Sequence, residues 1–200
     1  FGKEIMPSLV GRRDLRCHVF DGYWEDIGTV QAFFEANLQL TDPVPAFDFY
    51  DEDGPMYNFP EILPTAKVTD CRIDRAIVAS GAMVGRSKLT RTVLGVRSIV
   101  SDGVRLENVV MMGADFYERD SGRREKRDRL GLPPLGVGEN SLVTDAIIDK
   151  NTRIGKDVRL SPAGCEDGWA DESKGLYVRD GVLVVLKNAA VQDGTVIGED

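Results

Sequence analysis

The chain has 200 residues, 42% of them hydrophobic, which allows one large domain or two small ones with a packed core. A formal net charge of −8, together with apolar runs shorter than the roughly 18 residues of a membrane span, argues against nucleic acid and membranes as partners. The three cysteines are widely spaced without a Cys-x-x-Cys pair, which favours reduced thiols and a cytoplasmic location.

The first 42 residues carry the pattern of two helices and one strand. Apolar spacing predicts a helix over 1–10 and a second helix over Val30–Leu40, capped by Thr29. A strand is predicted over His18–Trp24 between them. Because these elements bury too little surface to make a domain, residues 1–42 are interpreted as the C-terminal end of a larger α/β domain whose front is not in this sequence.

Residues 43–66 are predicted to be a linker. This segment contains five prolines and the acidic stretch Asp51-Glu52-Asp53-Gly54, and such composition is typical of a connection between domains.

From residue 67 onward, an aliphatic residue recurs every five or six positions. A helix spaces its apolar residues by three and four and a half-buried strand by two, so this period fits neither. It is typical of a parallel β-helix, in which each coil of roughly 17 or 18 residues holds three short strands and three corners. The six-residue units resemble the hexapeptide left-handed β-helix, and the handedness rests on that resemblance. The predicted inward residues are Val78, Val84, Leu89, Leu94, Val100, Leu106, Met111, Val137, Val143, Ile148, Ile154 and Leu160.

The period fails twice within the predicted β-helix of residues 67–200, over 114–136 and over 161–177, and both stretches are predicted to be extruded loops. Residues 119–129 carry six cations against three carboxylates. A solvated surface loop is the commoner explanation of such a charge run, and an anion site or a subunit contact is the functional alternative.

A carboxylate lies between the predicted strand and the second helix, in the stretch Tyr23-Trp24-Glu25-Asp26-Ile27-Gly28-Thr29. Loops at this place in α/β domains commonly bind ligands. With Phe1-Gly2-Lys3-Glu4-Ile5-Met6-Pro7 before it and Glu35-Ala36-Asn37 after it, the stretch resembles the end of the catalytic domain of sugar-phosphate nucleotidyltransferases. Four further stretches resemble ADP-glucose pyrophosphorylases, that is, glucose-1-phosphate adenylyltransferases: LPTAK at 63–67, MGADFYE at 112–118, AIIDKNTRIG at 146–155 and GVLVVLKNA at 181–189.

The resemblance implies that Asp26 is a catalytic residue and a Mg²⁺ ligand, together with a second aspartate earlier in the catalytic domain. Mg²⁺ neutralises the charge that keeps an anionic sugar phosphate from attacking an anionic nucleoside triphosphate. Trp24 and Glu25 are expected at the sugar pocket. The residues themselves leave two alternatives open: Asp26 as a carboxylate that stabilises a helix N-terminus, and Trp24 as a packed core residue.

The resemblance also implies that Lys150 and Lys187 bind the phosphate of an allosteric effector, a phosphorylated sugar or glycerate, with Asp149 as a neighbour. Lysine supplies a point charge to a phosphate without demanding one fixed geometry. An exposed lysine without a ligand is the alternative at each position. One stretch departs from the family: Phe59-Pro60-Glu61 stands where plant-type members carry Gln-Pro-Arg, and a carboxylate there repels phosphate.

The resemblance therefore implies the C-terminal part of glucose-1-phosphate adenylyltransferase, which makes ADP-glucose and pyrophosphate from ATP and glucose 1-phosphate for glycogen or starch synthesis. The family's Gly-rich phosphate loop lies upstream of a segment like Phe1, so the chain is expected to regulate and assemble a homotetramer and to be inactive alone. A non-catalytic nucleotidyltransferase-like scaffold subunit is one alternative. A hexapeptide acyltransferase is less favoured, because His18, the only histidine, precedes the repeats and cannot supply their general base.

Overall fold

A computed structural model describes residues 1–12, 15–57 and 62–198 of the chain. The helices are Ile5–Leu9 (α1), Val30–Gln39 (α2) and Ser121–Arg129 (α3). The strands β1 to β15 are, in chain order, Lys67–Val68, Arg72–Val78, Met83–Val84, Lys88–Leu94, Ile99–Val100, Arg105–Met111, Gly136–Val137, Leu142–Ile148, Arg153–Ile154, Arg159–Leu160, Ala170–Asp171, Leu176–Arg179, Val182–Val185, Ala190–Val191 and Val196–Ile197.

The strands wind into a parallel β-helix with three faces. One face is the parallel ladder β1-β3-β5-β7-β9-β14. The seven-residue strands β2, β4, β6 and β8 stack in parallel and supply the other two faces, because each strand bends in its middle. The two faces separate after β8, whose first half pairs with β10 and whose second half pairs with β13.

The bend in each long strand is a left-handed residue that takes no part in the ladder. Arg75, Arg91, Asn108 and Asp145 have φ between 48° and 53° and occupy the same register position on successive coils. Asparagine and aspartate adopt this region more readily than most residues, whereas arginine does so at a cost of steric strain. The stacked bends fix the three-faced shape of the coil.

The core of the β-helix confirms the five-to-six-residue pattern. Every predicted inward residue from Val84 to Leu160 is buried, and Val78 is half-buried against the same cluster. The register between β2, β4 and β6 advances by 16 residues, from Arg72 to Lys88, and then by 17, to Arg105. The next step, from Arg105 to Leu142, is 37 residues, because the chain leaves the coil to form α3.

The two interruptions of the repeat contain regular structure. Residues 119–129, for which a surface loop was the commoner explanation, lie largely in α3, which begins after Asp120; the Asp120 side chain accepts a hydrogen bond from the N–H of Gly122 at 3.0 Å. The second interruption leads into an antiparallel hairpin of β12 and β13, and Leu176, within the predicted loop 161–177, is fully buried. Its turn is Asp180-Gly181, with φ of 53° and 73°, the left-handed pair that a two-residue hairpin needs.

Helix α2 confirms the prediction for Val30–Leu40 and packs directly on the β-helix. The Thr29 side chain accepts a hydrogen bond from the N–H of Ala32 at 3.1 Å, as expected of a capping residue. Phe34 and Leu38 are buried against apolar residues of β6, β8 and β13, namely Val110, Ile147 and Val182.

The predicted strand over His18–Trp24 is wrong. These residues are exposed and form no ladder with any other part of the described chain, and a strand exists only where a neighbour pairs with it. The predicted helix over 1–10 is shorter than expected, since α1 covers Ile5–Leu9 and buries no residue. Within the described ranges, no helix combines the length and apolar character needed to cross a membrane.

Candidate functional site

Lys150 and Lys187 occupy equivalent places on adjacent coils of the β-helix. Each precedes an asparagine in the left-handed region, Asn151 and Asn188, both with φ of 62°. The N–H of Asn188 donates to the carbonyl oxygen of Lys150 at 3.0 Å, so the two corners stack at the spacing of neighbouring strands. The structure thus brings together two lysines that are 37 positions apart in sequence. We call this feature the lysine corner.

The carboxylate of Asp115 lies between the two ammonium groups of the lysine corner. Its Oδ1 is 3.1 Å from Nζ of Lys150, and its Oδ2 is 3.6 Å from Nζ of Lys187. Asn151 donates to Oδ2 at 2.9 Å and accepts from the N–H of Asp115 at 2.8 Å. The hydrogen bonds from Asn151 and then from Lys150 hold the pKa of Asp115 below its usual range. Asp115 therefore offsets one of the two lysine charges.

Asp149 holds the backbone of the corner. Its Oδ1 accepts a hydrogen bond from the N–H of Lys150 at 2.6 Å, and its carbonyl oxygen accepts one from the hydroxyl of Thr152, also at 2.6 Å. These contacts fix the direction in which Lys150 leaves the coil. Asp149 thus acts on the neighbouring lysine through the backbone.

Gly113 explains how the chain reaches the corner from β6. Its φ is 88°, and a Cβ atom there would lie 2.0 Å from the carbonyl oxygen of Val96, so any side chain is excluded. The N–H of Ala114 then donates to that same carbonyl at 2.9 Å. The close approach directs Asp115 toward Lys150 before the chain departs to form α3.

A second charged cluster, centred on Glu118, joins α3 to the β-helix. The Glu118 side chain is only 8% exposed and contacts the guanidinium groups of Arg153 at 2.6 Å and Arg127 at 3.6 Å. It also accepts from the N–H of Leu135 at 3.1 Å. Burial works to raise the pKa of Glu118, but the hydrogen bonds from Arg153 and Leu135, with the charges of Arg153 and Arg127, lower it below its usual range.

The loop that holds Asp26 has a different character. Trp24 is 73% exposed, and with Glu25 and Tyr23 it lines a cleft of about 390 Å³ beside α2 and Phe47. Asp26 is exposed as well, and its Oδ1 lies 3.2 Å from the place that a Cβ on Gly28 would take. No hydrogen bond or ion pair within the described residues links Asp26 to the lysine corner.

The residues described around Asp26 do not form a complete metal site. Across 1–12, 15–57 and 62–198, no group of three or more His, Cys, Asp or Glu side chains is arranged to hold an ion. Mg²⁺ in phosphate chemistry is commonly bound through one or two carboxylates, with water and phosphate oxygens as the other ligands. Asp26 fits one such ligand position.

Sequence reasoning did not single out Asp115, Glu118 or Arg153 as site residues. All three lie within stretches that resemble the pyrophosphorylases, but their importance depends on contacts across 35 or 36 positions of sequence. The stretch Phe59-Pro60-Glu61, which departs from the plant-type pattern, lies outside the described residues. Its expected effect on phosphate binding stays a prediction. His18 is exposed and lies before the first strand of the coil.

Two protein-family models match the chain. The model described as GLGC left-handed parallel beta-helix domain matches residues 61–196. The model described as Nucleotidyl transferase matches residues 1–43, the segment that holds the Asp26 loop and α2. The first match covers well over half of the sequence and extends from before β1 into β15. It identifies the β-helix as left-handed.

Proposed function

The chain belongs to the family of the GLGC left-handed parallel beta-helix domain. From this we propose that it is the C-terminal part of a glucose-1-phosphate adenylyltransferase. Such an enzyme makes ADP-glucose and pyrophosphate from ATP and glucose 1-phosphate, as part of glycogen or starch synthesis. In our proposal the β-helix binds a phosphorylated effector and takes part in assembly. The match of residues 1–43 to nucleotidyl transferases supports the class of reaction.

The observation that carries the effector proposal is the shared carboxylate of the lysine corner. Lys150 and Lys187 both contact Asp115, and all three side chains are between 38% and 52% exposed. A phosphate monoester carries close to two negative charges at neutral pH, against one on Asp115, and has three acceptor oxygens. It therefore competes well for the two ammonium groups. In this proposal Asp115 holds both lysines in position, and Asp149 orients Lys150.

We further propose that Asp26 supplies one carboxylate ligand to Mg²⁺, with Trp24 and Glu25 beside the sugar. Bound Mg²⁺ lowers the repulsion between the triphosphate and the sugar phosphate. The cleft that Trp24 and Glu25 line supports this arrangement, because an exposed indole offers a flat apolar surface to a sugar ring. Replacement of Asp26 by Asn is expected to abolish nucleotidyl transfer in the protein as the cell makes it; retained activity contradicts this role.

The assembly proposal rests on the first coil. Within the described residues, β1 pairs only with β3 and β2 only with β4, and their apolar residues Val68 and Ile73 are 44% and 43% exposed. Natural proteins cover such strand edges with a loop or a partner chain. We propose a homotetramer located in the cytoplasm, where the unpaired thiols of the cysteines stay reduced. Sedimentation velocity tests the assembly, and a monomer at micromolar concentration contradicts it.

The effector proposal is tested by binding of phosphorylated ligands to variants of the lysine corner. The probes are 3-phosphoglycerate, fructose 6-phosphate, fructose bisphosphate and inorganic phosphate, titrated by calorimetry. Lys187→Ala and Lys150→Ala each remove a charge-assisted hydrogen bond. Each change is expected to raise the dissociation constant of the tightest-binding probe about tenfold or more. Lys156→Ala is the matched control, since that lysine also pairs with a carboxylate, Glu139, at another corner.

An unchanged dissociation constant in both corner variants, or an equal loss in Lys156→Ala, contradicts the effector site. In the enzyme as the cell makes it, the same Lys187→Ala change is expected to raise the effector concentration needed for half-maximal activation. Activation that does not change would remove the regulatory role even if binding is found.

A further inference from the structure

Helix α3 turns a charged face toward the body of the protein. Arg123, Lys126, Arg127 and Leu130 recur at the spacing of one helical face. They line a cleft of about 440 Å³ between α3 and the β-helix. A helix that packs on a protein usually presents an apolar stripe to it, as α2 does. The inward face of α3 is cationic instead, so burial of apolar surface does not explain its orientation.

Among the described residues, two of the cations in this cleft have carboxylate partners and two do not. Arg127 and Arg153 contact the buried Glu118, and Arg127 also pairs with Asp128. Arg123 and Lys126 have no carboxylate partner within the part of the chain that the structure describes. In a chain of net charge −8, this is a local concentration of free positive charge. Glu118 therefore fixes the walls of the cleft, while Arg123 and Lys126 are available to an anion.

The cleft also offers an apolar surface beside these free cations. The Arg123 guanidinium lies over the ring of Phe116, 4.2 Å from its centroid. Leu130, which is 57% exposed, and the half-buried Leu132 line the same space. A volume of about 440 Å³ is within the range of small-molecule sites. A ligand that uses the whole cleft needs both an anionic group and a flat apolar part.

We propose that this cleft binds a phosphate monoester that carries a planar apolar ring. Arg123 and Lys126 contact the phosphate, and Phe116, Leu130 and Leu132 contact the ring. The site is separate from the lysine corner, although the two are neighbours: Phe116 follows Asp115, and Asn188, at the edge of the cleft, follows Lys187. The proposal does not depend on the identity of the effector.

The test is calorimetric titration of the chain with phenyl phosphate, inorganic phosphate and phenol. Phenyl phosphate has both parts of the proposed ligand, and each of the other probes has one. We expect phenyl phosphate to bind more tightly than either of them. The variant Arg123→Gln/Lys126→Gln is expected to weaken the binding of phenyl phosphate about tenfold or more, because two charge-assisted contacts are lost. Phe116→Leu is expected to weaken phenyl phosphate and leave inorganic phosphate unchanged.

The matched control is Arg124→Gln/Arg129→Gln, which removes the same charge from the same helix at exposed residues outside the cleft. Equal loss in the control and the cleft variant overturns the proposal, as does phenyl phosphate binding no tighter than inorganic phosphate. Lys187→Ala separates this site from the lysine corner. If Lys187→Ala abolishes binding of phenyl phosphate and Arg123→Gln/Lys126→Gln does not, the ligand sits at the corner and the cleft proposal fails, while the effector proposal stands.

Discussion

The two helices that lie against the β-helix are held there by opposite kinds of contact. Helix α2 buries Phe34 and Leu38 against apolar residues of β6, β8 and β13. Helix α3 buries no residue, and ion pairs through Glu118 join it to Arg153 of the coil. One attachment excludes water, and the other keeps charged groups partly hydrated, because full burial of charge is costly.

The difference shows which part of the surface is suited to a ligand. The face of α2 that carries Phe34 and Leu38 packs directly on the strands, and the cleft beside this helix lies on the side of Trp24 and Phe47. The charged attachment of α3 leaves a cleft in which Arg123 and Lys126 have no carboxylate partner among the described residues. The lysine corner lies next to this cleft along the chain. Recognition of anions is therefore concentrated where the chain leaves the coil and returns to it.

The strongest way to break the attachment of α2 is Leu38→Ala. Leu38 is fully buried, so the truncation leaves a cavity between the helix and the strands. Loss of about 2–5 kcal/mol in the free energy of unfolding is expected, measured by denaturant titration. Gln31→Ala, at an exposed position of the same helix, is the control and is expected to change stability by less than about 0.5 kcal/mol. Equal effects of the two changes would show that α2 is not docked by its apolar face.

The attachment of α3 is tested by Glu118→Gln, which keeps the shape of the side chain and removes its charge. Arg153, whose side chain is only 14% exposed, then loses its carboxylate. We expect a loss of about 2 kcal/mol, below the range for fully buried pairs because the cleft admits water. Trypsin is expected to cleave the basic helix faster in this variant. Glu125→Gln, at an exposed position of α3, is the control and should leave the cleavage rate unchanged.

The cost of Glu118→Gln should also depend on pH, which sets α3 apart from α2. The pKa of Glu118 is lowered in the folded protein, whereas an unfolded glutamate titrates near about 4.3. Its stabilising contribution is therefore complete above about pH 4.3 and is lost as the pH falls through the lower, folded pKa. The stability gap between wild type and variant should narrow in that acidic window. The loss caused by Leu38→Ala should show no such narrowing, and parallel behaviour of the two would contradict the distinction.

Much of the fold could be predicted because it follows from local apolar spacing. The inward residues of the coil and the buried face of α2 are fixed by periodicity, and both predictions are confirmed. Helix α3 was missed because a charge run has no apolar stripe to reveal its period. The hairpin of β12 and β13 was missed although Asp180-Gly181 between apolar runs is a recognised hairpin signal. The strand over His18–Trp24 was predicted but does not form. The local sequence pattern indicates a strand, but it does not show whether a neighbouring strand is present to pair with it.

The sites were less accessible to sequence reasoning than the fold. Lys150 and Lys187 entered through resemblance, and their joint contact with Asp115 depends on how two coils stack. Glu118 and Arg153 depend on where α3 returns to the coil, which no local pattern encodes. For Asp26, the described residues contain no group of three or more candidate metal ligands, and its role stays a prediction.

The smallest expected effect comes from Asp180, which adds a polar contact to the apolar attachment of α2. The Oδ2 of Asp180, in the hairpin turn, accepts hydrogen bonds from the N–H groups of Val30 at 3.2 Å and Gln31 at 3.5 Å. Asp180→Asn keeps a residue that tolerates the left-handed turn and removes the charge at the helix N-terminus, which should cost about 0.3–1 kcal/mol. Asp157→Asn makes the same change at a left-handed corner away from the helices and is the control. Because the helix-terminal interaction is screened, thermal melts of Asp180→Asn and wild type should converge at high salt. A difference that persists there would mean that Asp180 stabilises the turn itself and not α2.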